Sequence, residues 1–324
     1  MLFSRIRIGG VLLALTLSAC SSTSTRVSGA HASEAKPALA KAPDLRSFFL
    51  PQVPAWAKSP MADDYFLDID LLMEKEGLTR LEAVEVQNRM RDALEDPKVS
   101  IQDAFSAALK RIQEGDLESG WKPVVFHSPS EFVLVLGMEV KNVPRGQEFL
   151  AKVRQNPDCR GIVIFTDQPD AAALEALRPW KSKGLIDAIF TRNHLVMGKR
   201  STGPVKDLRL VDPELRHVII VDSDPDRVMQ PKLMRALPRY EADRYAKAVS
   251  TGDDSLRRYY ESLFGVIGEE INEAVKSANE GKIPFAQAYQ PYTLLGERVL
   301  RVMERTLGSR HKALALLRLH PELQ

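Results

Sequence analysis

From Trp121 to residue 222, short apolar runs alternate with segments of helical periodicity. Val124-Val125-Phe126, 161–165, 185–190 and 218–221 read as strands, and 132–136 as a further strand or half of a hairpin. Continuous apolar runs of this length, bounded by polar turns, suit strands buried on both faces. Between them, 147–153 and 171–180 place apolar residues at three- and four-residue intervals and read as helices. The alternation predicts an α/β fold: a parallel sheet between helical layers. In such sheets ligands collect beyond the carboxyl ends of the strands. The residues that follow strands, His127, Thr166 and Asp222, are therefore the first candidates for chemistry.

The flanks read differently. Over 62–114 the pattern is helical: Leu78, Leu81, Val84 and Val86 precede Met90 and Leu94, Pro97 interrupts, and Ser100 caps a second helix carrying Ile101, Phe105, Leu109 and Ile112. From Asp254 onward Leu256, Tyr259, Tyr260, Leu263 and Ile267 share one helical face. After Pro284 and Pro291, Leu295, Val299, Val302 and Leu307 form another, and 312–319 is helical. These stripes exceed what a small α/β domain can cover, so the flanks are expected to face other proteins of a larger assembly.

Residues 1–33 contain no Asp or Glu and are rich in Ser and Thr. Two readings stand. Arg5 and Arg7 followed by an apolar run and Leu17-Ser18-Ala19-Cys20 fit an export signal with a lipidated Cys20. An arginine-bearing, acid-free, Ser-rich segment also fits a mitochondrial transit peptide. Pro37, Pro43, Pro51, Pro54 and Pro60 mark 34–60 as a linker. The expected organisation is thus a targeting segment at 1–33, a linker at 34–60, a helical hairpin at 61–120, an α/β domain at 121–265 and a helical extension at 266–324.

Composition narrows the classes. With 45 Lys and Arg against 43 Asp and Glu, the 324-residue chain has a net charge of +2. That offers no concentrated basic surface for direct nucleic-acid contact. No run approaches the roughly 18 apolar residues of a membrane span. Two cysteines, Cys20 and Cys159, exclude a disulfide scaffold or a cysteine zinc site.

Four stretches then line up in order: Val143-Pro144-Arg145-Gly146-Gln147-Glu148-Phe149-Leu150, Val163-Ile164-Phe165-Thr166-Asp167, Val205-Lys206-Asp207-Leu208, and Ile220-Val221-Asp222-Ser223-Asp224-Pro225. This pattern resembles the C-terminal-domain phosphatase branch of the haloacid dehalogenase superfamily over about residues 121–265. The resemblance implies a three-layer haloacid dehalogenase-like domain. It also implies a phosphate pocket built from Thr166, Lys206 and Asp222. In that family an aspartate after the first strand takes the phosphoryl group, a second aspartate two residues on is acid and base, and Mg²⁺ offsets the phosphate charge.

With Val124-Val125-Phe126 as first strand, those two positions are His127 and Pro129; with 132–136 they are Gly137 and Glu139. Neither supplies the aspartates, and Ser223 stands where the family has a second metal-binding Asp or Asn. The expectation is a catalytically inactive, phosphatase-like subunit with no catalytic residues, no metal ligands, no cofactor and a vestigial phosphate pocket. One branch of the family, the receptor subunit of the mitochondrial presequence translocase, points to a mitochondrial location. The alternatives are a bacterial lipoprotein held by Cys20, or a divergent Mg²⁺-dependent phosphatase using Asp68 and Asp70.

Overall fold

A computed structural model describes residues 69–197 and 203–319. The readings at 1–33 and 34–60, Cys20 and Asp68 lie outside the described residues.

Three helices come first: α1 (Ile69–Glu76), α2 (Arg80–Ala93) and α3 (Ile101–Gln113). The expected two-helix hairpin is thus preceded by a short helix, which stops at Gly77, a left-handed residue at φ 68°. Thr79 starts α2 with a reciprocal cap: its hydroxyl accepts from the Glu82 N–H, and the Glu82 carboxylate accepts from the Thr79 N–H.

The centre is a five-stranded, all-parallel sheet of order β3-β2-β1-β6-β7. Its strands are β1 (Phe132–Leu136), β2 (Cys159–Phe165), β3 (Ala188–Phe190), β6 (Val218–Asp222) and β7 (Met234–Ala236). A two-residue antiparallel pair, β4 (Val196–Met197) with β5 (Pro204–Val205), stands apart. Every residue of β1 and β6 is buried, as continuous apolar strands between two layers require.

Alternation along the strands separates two cores. Leu134, Leu136, Ile162, Ile164, Ile219 and Val221 face α4 (Gly146–Gln155), α5 (Asp170–Ser182), α7 (Asp254–Gly281) and α8 (Phe285–Tyr289). Val133, Val135, Val163, Phe165, Val218 and Ile220 face Leu81 and Val84 of α2, Trp121 and the 208–211 segment. The fold is a three-layer α/β fold of the haloacid dehalogenase type, with helix α2 covering one face of the sheet.

Three sequence expectations change. Val124-Val125-Phe126 is not a strand; Val125 is 72% exposed, and Phe126 stacks on the His217 ring at 4.1 Å. This segment is a strap under the amino-terminal edge of the sheet, where Phe126 packs on His217 instead of joining the ladder. The true first strand is 132–136, paired in parallel on both sides rather than in a hairpin.

The boundary at 265/266 falls inside one 28-residue helix, α7, whose Phe264, Ile267, Ile271, Ala274 and Ala278 all enter the core. Finally, most of the flanking stripes are satisfied within the chain. Leu81, Val84, Val86 and Met90 are buried, and Leu300 of α9 (Leu294–Leu307) packs with Ala313 and Leu317 of α10 (Arg310–Leu319). Val302 and Leu307 remain exposed on α9, and α6 (Ala242–Thr251) exposes Val249.

Candidate functional site

The carboxyl ends of β1, β2 and β6 open into one cavity of about 390 Å³. Thr166, Lys206 and Asp222 all line it, with Glu139, Lys141, Gln168, Asp224 and Arg227 around them. The structure thus brings together the three residues expected from the sequence.

Each is fixed by local backbone. Thr166 follows β2; its N–H donates to Phe190 O at 2.8 Å, and its hydroxyl oxygen accepts from the Gln168 N–H at 3.1 Å. Lys206 follows β5 and bridges in parallel to Val228: its N–H donates to Arg227 O at 2.8 Å, and its carbonyl accepts from Met229 N at 3.0 Å. Asp222 ends β6 and is fully buried. Lys206 Nζ donates to Asp222 Oδ2 at 2.5 Å, and Asp222 Oδ1 accepts from the Asp224 N–H at 3.0 Å.

β1 runs into Gly137-Met138-Glu139, the last two residues opening a 3₁₀ turn over Met138–Lys141. A Cβ on Gly137 would lie 2.3 Å from Glu139 Oε2 and 2.8 Å from Asp222 Oδ2. The two carboxylates have closed into the space where a larger residue would project. Glu139 Oε2 is buried and has no hydrogen-bond partner among the described residues. The turn then enters α4 through Arg145, left-handed at φ 64°, and Gly146, where a Cβ would meet Val140 O at 2.4 Å. Gly146 is therefore required for the close approach that folds this loop over the strand end.

His127 and Pro129 do not belong to the site. The His127 N–H donates to Glu131 Oε2, and His217 Nδ1 lies 2.8 Å from Glu131 O, which places this segment at the amino ends of β1 and β6. A whole strand separates it from Thr166. Of the two placements of the first strand, the structure takes the one at Phe132–Leu136. Asp70 sits in the first turn of α1, exposed, with Arg80 Nη1 at 2.8 Å. It is a helix-terminal acid rather than a strand-end nucleophile. Ser223 lies in a neighbouring cavity with Arg239 and Tyr240. Cys159 is the first residue of β2; burial pushes its thiol up to about 11, away from reactivity.

Sequence reasoning offers Glu139 only under the second of two placements of the first strand, and it missed what braces the walls. Asp207, next to Lys206, is fully buried and receives Arg80 Nε from α2 at 2.8 Å, together with Arg209 and Gln230. Burial pushes its carboxyl up, but the hydrogen bonds from Arg209 and Gln230 outweigh this and hold it below the usual range. On the other wall, Glu85 of α2 accepts from the Glu118 N–H and from the N–H and hydroxyl of Ser119. His194 Nε2 stands 3.6 Å from Glu85 Oε1, beside the pocket residue Leu195. Helix α2 thus grips both loops that wall the cavity.

The residues of this cavity come from segments the family pattern places in order. No curated protein matches the chain. The family described as NLI interacting factor-like phosphatase matches residues 125–266, a segment that contains all five strands of the sheet, Gly137, Thr166, Lys206 and Asp222. Over those residues the chain is a domain of that family, the C-terminal-domain phosphatase-like group of the haloacid dehalogenase fold.

Proposed function

We propose that this phosphatase-like domain binds rather than cleaves, and serves as a subunit of a larger assembly. The observation that carries the reading is Gly137. Phosphoryl transfer to protein needs a nucleophile, and in the phosphatase family that the domain resembles this is a carboxylate just past the first strand. The chain has no aspartate between Asp116 and Asp158, and the residue that follows β1 is Gly137. Glu139 keeps a carboxylate at the acid/base position but has nothing beside it to take up the phosphoryl group. His127, the one nucleophilic ring near this strand in sequence, sits at the opposite edge of the sheet.

The donor set does not fit Mg²⁺ either. Mg²⁺ asks for near-octahedral oxygen ligation. Beyond β1 only Glu139 and Asp222 converge, Asp222 is already held by Lys206, and no group of three candidate ligands occurs among the described residues.

The assembly reading draws on the exposed Val302 and Leu307 of α9 and the exposed Tyr259 of α7, since most of the remaining stripe residues are buried or half-buried within the chain. The mitochondrial compartment draws on the acid-free, Ser-rich first 33 residues, and the lipoprotein alternative on Leu17-Ser18-Ala19-Cys20. The test is native electrophoresis of the full chain from mild extracts. Co-migration with a high-mass assembly, lost in Val302→Asp, is expected; migration as a lone species of 36.2 kDa or less overturns the subunit reading. An acylated Cys20 at the mature N-terminus would replace the mitochondrial reading by the lipoprotein one.

A further inference from the structure

We propose that His194 is a proton-operated latch in the wall of the cavity: proton uptake at its Nδ1 exchanges the cap of the 191–194 turn for an ion pair with Glu85 of helix α2. The latch belongs to the wall, so it stands whether the cavity binds or cleaves.

The neutral state is fixed by the backbone. His194 is 2% exposed and stacks on the Phe190 ring at 5.0 Å. The Thr191 N–H donates to His194 Nδ1 at 3.2 Å, which caps the 3₁₀ turn Arg192–His194. A ring nitrogen that accepts carries no hydrogen, so the hydrogen of the neutral ring is on Nε2. Nε2 is buried, has no hydrogen-bond partner among the described residues, and stands 3.6 Å from Glu85 Oε1. Glu85 is itself fully buried, and the donors it receives from Glu118 and Ser119 are neutral. A buried carboxylate thus lies just beyond hydrogen-bond reach of a ring that can become its cation.

A proton from solvent that adds to the Nδ1 lone pair changes both ends of the ring. Nδ1 becomes a donor, so the Thr191 N–H loses its acceptor. Thr191 Oγ1, 3.3 Å from Nδ1 and already donating to Asp170 Oδ1, is placed to receive the new hydrogen. At the other end, Nε2–H now brings a positive charge toward Glu85. Charge-assisted hydrogen bonds are about twice as strong as neutral ones, so the exchange gains more at Glu85 than it loses at the Thr191 N–H. The other charges near the ring do not cancel this. Glu118 adds a carboxylate with Arg89 Nε at 3.5 Å, Asp92 is paired with Arg91, and Asp170 lies behind Thr191. Arg192 Nε is turned to Asp167 O at 2.9 Å.

The turn is stitched to the cavity. The Thr166 N–H donates to Phe190 O at 2.8 Å, and the Arg192 N–H to Gln168 O at 3.0 Å. Thr166, Asp167, Gln168 and Leu195 all line the cavity. A turn that gives up its cap and moves toward α2 therefore carries the 166–168 loop and Leu195 with it. Histidine is the side chain whose ordinary titration falls between about pH 5 and 8. Glu85 remains a carboxylate over that range: burial raises its carboxyl, but the donors around it outweigh this and hold it below the ordinary value of 4.5.

The test uses the full chain, ¹⁵N-labelled, with histidine-ring and amide spectra followed from about pH 8 to 5.5. His194→Gln assigns the ring by the loss of its signals. At the alkaline end the ring is expected as the Nε2–H tautomer. On acidification it should take up a proton, and the Thr191 amide proton should move upfield as its hydrogen bond is lost. The Arg192 and Leu195 amides should shift with the same midpoint, and His194→Gln should abolish the transition at all three. Glu85→Gln should lower the midpoint by about one pH unit or more, the usual effect of losing a close opposite charge. Should Glu85→Gln fail to fold, the wild-type spectra decide alone, because the tautomer and the Thr191 amide report the exchange directly. An Nδ1–H tautomer at the alkaline end, a ring still neutral at the acid end, a titrating ring with unmoved Thr191 and Arg192 amides, or an unchanged midpoint in Glu85→Gln overturns the latch.

Discussion

Lys206 and Asp222 form a closed pair at the carboxyl end of the sheet, Nζ to Oδ2 2.5 Å, with side-chain exposures of 7% and 0%. The pair explains how a lysine stem can be buried beside β6: its charge is matched where it is desolvated. Removing one partner leaves the other charge buried alone, which costs about 3–5 kcal/mol, whereas replacing both is far milder. Lys206→Met should therefore lower the urea midpoint strongly, and Lys206→Met with Asp222→Asn should recover most of the loss. A single mutant as stable as wild type would mean that the pair is open to water.

Gly137 has an equally local consequence. Any Cβ there meets Glu139 Oε2 and Asp222 Oδ2. Asp222 is held by Lys206, so Glu139 must give way. Gly137→Ala should destabilise by about 1–3 kcal/mol, the usual range for overpacking. Glu139→Ala in the same chain should relieve most of it, a coupling that a double-mutant cycle measures. Additive effects would place Glu139 away from the strand end.

Acid should loosen helix α2 from the domain. Burial alone would raise the Glu85 and Asp207 carboxyls, but the nearby His194 ring and the hydrogen bonds from Ser119 and the Glu118 N–H to Glu85, and those from Arg209 and Gln230 to Asp207, hold both below their ordinary values of 4.5 and 3.8. The unfolded chain therefore binds more protons, so this stabilisation is fully present above that range and is lost as pH falls through it and below. The thermal midpoint of wild type should drop below about pH 5 more steeply than that of Glu85→Gln or Asp207→Asn. Parallel curves would show that neither carboxylate holds the hairpin.

Ile219, central in β6 and fully buried, pairs in register with Leu134. Ile219→Ala removes methylenes from the core on the α7 side and should cost about 2–5 kcal/mol by chemical denaturation. A loss under 1 kcal/mol would mean that this strand is not central.

The parallel sheet was legible because 161–165 of β2 and 218–221 of β6 are unbroken apolar runs that lead into Thr166 and Asp222. From those ends and Lys206 the cavity could be anticipated. The first strand could not be placed by apolarity alone: Val124-Val125-Phe126 and 132–136 both qualify, and only pairing with β2 and β6 decides between them. Glu139 stays one of two alternatives for the same reason, since its position gains meaning only once Gly137 is known to follow the central strand. Arg80 and Glu85 lie far from Asp207 and His194 in sequence; their grip on the pocket walls is a property of tertiary packing that no local pattern carries.

Purified full chain with Mg²⁺, assayed against an aryl phosphate and a phosphoserine peptide, tests the central claim most directly. With Gly137 following β1 and Glu139 and Asp222 closing on its Cα, release of inorganic phosphate is expected to match the protein-free blank. Release above that blank which disappears in Glu139→Gln would show that the site still turns over phosphate esters, and the account of a domain that binds without cleaving would be contradicted.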